Sequence, residues 1–140
     1  MIIPKPSQCR YYYCLAAFWI TVQIVAIEPP LPPVLSNVTS GQRAGTRDVE
    51  VFYDLATSDS CHIGVDYSLD GGTTWHIVAA DDITGGAGAG IGSATARRIQ
   101  WDITSDFGGQ PQRAIDLRVT ADDGNLTVML GPSQDIPLLF

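Results

Sequence analysis

After Lys5 the chain has no lysine, and Arg10 is the only other base among its first 28 residues. Residues 29–140 carry six arginines against fourteen acidic residues, within a whole-chain net charge of −7. A phosphate-binding surface needs clustered positive charge, so nucleic acid is not an expected partner. Cysteine is scarce as well: Cys9 and Cys14 lie before or inside an apolar segment, and Cys61 stands alone. Three such cysteines give no disulfide framework, and Cys61 is expected to behave as a small buried apolar residue. The only histidines are His62 and His76. They are expected on neighbouring strands of one face, near Asp66, but they lack tight ligand spacing and no metal site follows.

Catalytic signatures are missing too. The glycine-rich stretch "GGAGAGIG", Gly85 to Gly92, has neither the G-x-G-x-x-G spacing nor a following Gly-Lys-Ser/Thr, so it reads as a flexible surface loop and not a nucleotide site. No nucleophile elbow or other positioning motif is present. No catalytic residue and no cofactor are assigned. The acidic turns Ala80–Asp82 and Thr120–Gly124 show no EF-hand pattern. Calcium needs about six to eight oxygens from a preorganised loop, so these turns are expected to be solubilising. Asn37 in "NVT" and Asn125 in "NLT" are formal glycosylation acceptors, to which this three-residue pattern alone assigns no role.

What is present divides the chain in four. Residues 11–27, "YYYCLAAFWITVQIVAI", are almost wholly apolar and follow Lys5 and Arg10. That is the layout of a secretory signal, or of an uncleaved anchor at the short edge of what spans a bilayer. Residues 1–27 are therefore read as signal peptide or membrane anchor, either of which exports the remainder. Residues 28–33, "EPPLPP", form a stiff polyproline-type linker. Residues 34–131 form one module, and residues 132–140 a C-terminal tail.

Within the module the period is two. Val49, Val51, Tyr53 and Leu55 alternate with Glu50, Phe52 and Asp54. The same device sets Ile63, Val65, Tyr67 and Leu69 inward and His62, Asp66 and Ser68 outward. Trp75 and Ile77 share a face in "TWHIV"; Ile99, Trp101 and Ile103 alternate in "RRIQWDI"; Ile115, Leu117, Val119 and Ala121 do so in "RAIDLRVTA". A last strand, "LTVML", follows the turn "DDGN". About seven short strands between Gly- and Asp-rich turns predict an all-β, antiparallel sandwich, preceded by the N-terminal hydrophobic helix.

Between two of these strands lies "SLDGGTTW". Its Ser68, Asp70, Gly72, Thr74 and Trp75 fit S-x-D-x-G-x-T-W. Asp70 is suited to accept backbone N–H groups across a turn, Gly71 or Gly72 supplies a positive φ, and Trp75 lays an apolar body over the hairpin while its N–H needs an acceptor. These residues specify a turn with no substrate. The pattern is similar to the Asp box of sialidase propellers. A single copy builds no propeller, and the sialidase catalytic set is not found.

More widely, "LSNVTSGQRAGTRDVEVFYDLA", "VDYSLDGGTTW", "RRIQWDITSDFGGQ" and "LRVTADDG" resemble a bacterial immunoglobulin- or fibronectin type III-like module. Such modules occur in exported multidomain proteins, often ahead of a formylglycine-generating (sulfatase-modifying-factor) type domain. The resemblance implies a non-catalytic spacer or protein-interaction module at the cell surface. It leaves two alternatives: the accessory part of a longer formylglycine-generating-type enzyme, and a carbohydrate-binding module using Phe52 or Phe107. The implied partner is a protein or a surface glycan, with the membrane reached only through residues 1–27.

Overall fold

The computed structural model describes residues 30–108, 113–132 and 136–138; the N-terminal apolar segment lies outside the described residues. Ten strands are present among them. One sheet has the order β1 (Val34–Gln42), β2 (Asp48–Ala56), β7 (Ala94–Asp102), β5 (Ile83–Gly85). The other has the order β10 (Ile136–Leu138), β8 (Arg113–Asp122), β3 (Cys61–Ser68), β4 (His76–Ile77). Two further short strands join it, β6 (Gly88–Ile91) on β3 and β9 (Thr127–Leu130) on β8. Every pairing is antiparallel. The all-β expectation is met.

Alternation puts one apolar face on each sheet, and the two faces exclude water by stacking. Val49, Val51, Tyr53 and Leu55 of β2 are buried, as are Ile99 and Trp101 of β7 and Ile115, Leu117, Val119 and Ala121 of β8. Each such side chain contributes about 1.5–3 kcal/mol relative to exposure, largely offset by chain entropy. The sheets meet at one pole through aromatic rings. Tyr67 of β3 stacks on Trp101 of β7 at 5.3 Å, and Phe107 packs against both. Phe107 belongs to a single helical turn, α1 (Thr104–Phe107), which ends at Gly108 with φ 46°. Its Asp106 accepts the Trp101 indole N–H at 2.9 Å.

Four expectations need correction. In β3, Asp66 and Ser68 do project from the outer face, yet both are buried, because the chain folds back over them. Leu69, assigned inward, lies past the end of β3 and is 38% exposed. The glycine-rich stretch is not an irregular loop throughout: Gly88–Ile91 forms β6, pairing Ile91 with Cys61 and Gly88 with Ile63. A strand edge needs only backbone donors and acceptors, so two glycines among four residues did not prevent pairing, and Ile91 packs against the core. Beyond residue 131, Ile136 and Leu138 of β10 are buried.

The glycines mark where the chain changes sheets, from β5 on β7 to β6 on β3. Gly85 has φ 91°, and a Cβ there would lie 2.6 Å from the Arg98 carbonyl oxygen. Just beyond it, the Gly86 carbonyl accepts the buried Tyr53 hydroxyl. Desolvation pushes the Tyr53 phenol up to about 12, against the lowering influence of nearby Arg97. One phenol thus fastens the crossover to the core.

In the first sheet, Asp54 fastens two bulges. Its Oδ2 accepts the Asn37 amide at 2.6 Å and its Oδ1 the Ala96 backbone N–H at 2.6 Å. Asn37 and Ala96 both have positive φ, 51° and 48°, and each lies beside a break in register. These two bonds, the Ala96 one foremost, hold the Asp54 carboxyl below its ordinary value.

Tyr53→Phe removes the hydroxyl and leaves the Gly86 carbonyl without its buried partner. A loss of about 1–3 kcal/mol is expected, read as a lower urea midpoint with an unchanged m-value.

Candidate interaction face on the second sheet

The outer face of the second sheet is set by register. Ile77 of β4 stands opposite Asp66 of β3, and Asp66 opposite Arg118 of β8. One row further, Gly64 faces Thr120, and Thr120 faces Met129 of β9. A Cβ on Gly64 would lie 2.8 Å from the Thr120 hydroxyl oxygen, so the glycine lets that side chain lean across β3.

The turn from Ser68 to Trp75 is built from its own side chains. Ser68 Oγ donates to Asp70 Oδ1 at 2.7 Å and accepts the Gly72 N–H at 2.9 Å. Asp70 Oδ1 also accepts the Thr74 N–H at 2.7 Å. Gly71 and Gly72 have φ of 70° and 81°, where a side chain would be strained. Trp75 Nε1 donates to the Gly72 carbonyl at 3.0 Å. The turn thereby returns the indole over the sheet. Hydrogen bonds to the ionised carboxylate, led by the Thr74 backbone N–H, bring Asp70 down to about 2.

Where Trp75 lands decides the character of the face. The Arg118 guanidinium carbon lies 4.2 Å from the Trp75 ring centroid, and Arg118 Nε donates to Asp66 Oδ2 at 2.9 Å. A cation is stacked between an indole and a carboxylate. The Asp66 side chain keeps only 10% of its exposure, and a carboxylate that dry needs such a partner. Beside the stack runs an open groove of about 450 Å³, walled by Gly71, Gly72, Trp75, Arg118, Met129 and Pro132. Two of its lining side chains are large, apolar and exposed, Met129 at 50% and Leu130 at 37%; Ile77, 82% exposed, stands apart from the groove on β4, opposite Asp66.

The arrangement suits recognition better than bond-making. Ser68 and Asp70 are spent on the turn, and Asp66 and Arg118 on each other. The other expected positions fall elsewhere. His62 lies on the outer face, opposite Asp122, whereas His76 lies opposite Tyr67 and stacks on its ring at 5.2 Å. The two histidines thus occupy opposite faces of the sheet. No group of three or more metal-ligating side chains occurs among the described residues. Phe107 is buried and presents no ring to a glycan; Phe52 is half-buried. In Thr120–Gly124 the acids shape the turn: Asp122 Oδ1 accepts the Gly124 N–H at 2.7 Å, and Asp123 Oδ1 accepts the Asn125 and Leu126 N–H groups, each at 2.8 Å. Cys61 is buried and forms no disulfide among the described residues. The residues missed by sequence reasoning are Asp66, Arg118 and Met129. The available signal was an acid and a base at outward positions of two alternating strands.

Because Asp70 has a folded-state pKa below its ordinary 3.8, its contribution to stability is complete above about pH 4 and is lost as the pH falls toward 2. Urea midpoints measured across that window should fall more steeply for the natural protein than for Asp70→Asn, with the difference between them closing at the acid end.

No family model, curated protein or solved structure matches the chain, so these side chains alone bear on what the face does.

Proposed function

We propose that this chain is an exported, non-catalytic module of immunoglobulin- or fibronectin type III-like form that docks a protein partner at the bacterial cell surface. The observation carrying the docking reading is the exposure of Met129 and Leu130 in a groove whose one cation, Arg118, is already matched by Asp66, together with exposed Ile77 farther across the same sheet. Large apolar side chains left exposed beside matched charges mark protein-binding surfaces. Trp75 and Arg118 are also of the residue types that dominate interface energetics.

Support for the family form comes from pairing order. Lettered along the chain, β1, β2, β5 and β7 fall in the positions of strands A, B, D and E of an immunoglobulin constant-type sandwich, and β3, β8 and β9 in those of C, F and G. Support for export comes from Lys5 and Arg10 ahead of the apolar residues 11–27. The Ser68–Trp75 turn, with its Asp-box spacing, serves the face by positioning Trp75.

Two measurements test this reading together. Fractionation of bacteria producing the whole chain should place it outside the cytoplasm. Chemical cross-linking in the envelope should then give one discrete adduct, which Ile77→Asp combined with Met129→Asp reduces at least tenfold while leaving the unfolding midpoint within error. Retention in the cytoplasm, or an adduct indifferent to both substitutions, contradicts the proposal.

A further inference from the structure

The hairpin joining β8 to β9 carries chemistry that the docking face does not use. Its residues read Asp123, Gly124, Asn125, Leu126, Thr127. This is an Asn-x-Thr acceptor with an acid two positions before the asparagine, the extended pattern D-x-N-x-T of bacterial protein N-glycosylation, whose transfer enzymes hold that carboxylate. We infer that Asn125 is an acceptor for N-linked glycosylation from a polyprenyl-diphosphate-linked oligosaccharide. The inference rests on the export proposed above, because such donors face the extracytoplasmic side.

Geometry separates this asparagine from the other formal acceptor. Asn125 is exposed at the hairpin tip, between exposed Gly124 and exposed Leu126, and its side-chain amide makes no hydrogen bond among the described residues. The tip already turns sharply, with Gly124 at φ 86°. Its closing backbone bond, Asp123 N–H to the Leu126 carbonyl, is long at 3.4 Å, and β9 beyond it is only four residues. Local opening there disturbs little, as at other weakly held hairpin tips. The Thr127 hydroxyl donates to Asp122 Oδ2 at 3.0 Å on the surface, a bond the transfer enzyme would have to displace.

Asn37 is also exposed, yet its amide is committed to Asp54 at 2.6 Å. It lies inside β1, where Ser36 and Thr39 pair with Asp54 and Phe52, and the buried Leu35 occupies the position two before it. Presenting Asn37 means stripping β1 from β2. Presenting Asn125 does not.

In the transfer, Asn125 Nδ2 attacks the anomeric carbon of the first sugar. The N–C bond forms as the C–O bond to the diphosphate breaks; polyprenyl diphosphate leaves with the electron pair, and one amide proton passes to the enzyme. The glycan would stand at the pole where β3 begins, opposite the Ser68–Trp75 turn, and so leave the docking groove open.

The test uses the purified full-length chain with a detergent-solubilised bacterial oligosaccharyltransferase and its lipid-linked oligosaccharide, read by intact mass and glycopeptide mapping. One glycan on Asn125 is expected, unchanged in Asn37→Gln, absent in Asn125→Gln, and reduced at least tenfold in Asp123→Asn, whose side-chain oxygen still accepts the turn N–H groups. An unmodified chain, modification at Asn37, or full modification of Asp123→Asn overturns the inference. Export is scored separately by fractionation. Modification in the purified system with retention in cells would therefore retire the export reading while supporting the acceptor; export with no modification would do the reverse.

Discussion

The buried carboxylate of Asp66 is the constraint on which the second sheet's outer face depends. It occupies a position that strand alternation assigns to water, and it is 7% exposed. A charge removed from solvent costs several kcal/mol unless it is matched, and the match is Arg118, one strand away in register. Arg118 in turn keeps its place through the indole of Trp75. Trp75 is returned over the sheet by a turn that Ser68 and Asp70 hold together. The sequence "SLDGGTTW" therefore has its effect at a distance from its own backbone: it lays the indole over the guanidinium that is bonded to the buried Asp66, and Trp75 and Arg118 together form one wall of the groove.

The first sheet uses a carboxylate differently. Asp54 is solvated, and it binds Asn37 and Ala96 where β1 and β7 lose register with β2. Bulges bend and twist a strand. At the crossover Tyr53 does related work from inside the core, through the Gly86 carbonyl. Polar side chains thus settle where strands bend or change sheets, while apolar ones fill the space between.

Much of the core was legible because β2, β7 and β8 obey period two, and their inward residues are those the alternation selects. Period two identifies faces, and it equates the outer face with solvent; at Asp66 and Ser68 a folded-back turn covers that face, so the assignment of side was right and the inference of exposure wrong. Gly88–Ile91 is illegible as a strand because only Ile91 of its four residues carries a large apolar side chain, which packs on the core opposite Cys61, and one such residue makes no alternation. Phe107, expected as an exposed ring for a glycan, is instead aimed by α1 at Tyr67 and Trp101. In the turn, Asp70 as acceptor and the positive φ of the glycines are legible, since these determinants lie within eight consecutive residues; the Ser68 bonds and the acceptor of the Trp75 N–H are not. The groove was not, because it assembles Gly71, Arg118 and Met129 from three distant parts of the chain.

The coupling between Asp66 and Arg118 is the quantity that tests this account most directly. A double-mutant cycle with Asp66→Asn and Arg118→Met, run in the natural background and again with Trp75→Ala, separates the pair from its cover. The account predicts a coupling above about 1 kcal/mol, within the range found for residues in direct contact, that shrinks by half or more once the indole is gone. A coupling near zero, or one unmoved by loss of Trp75, would contradict it.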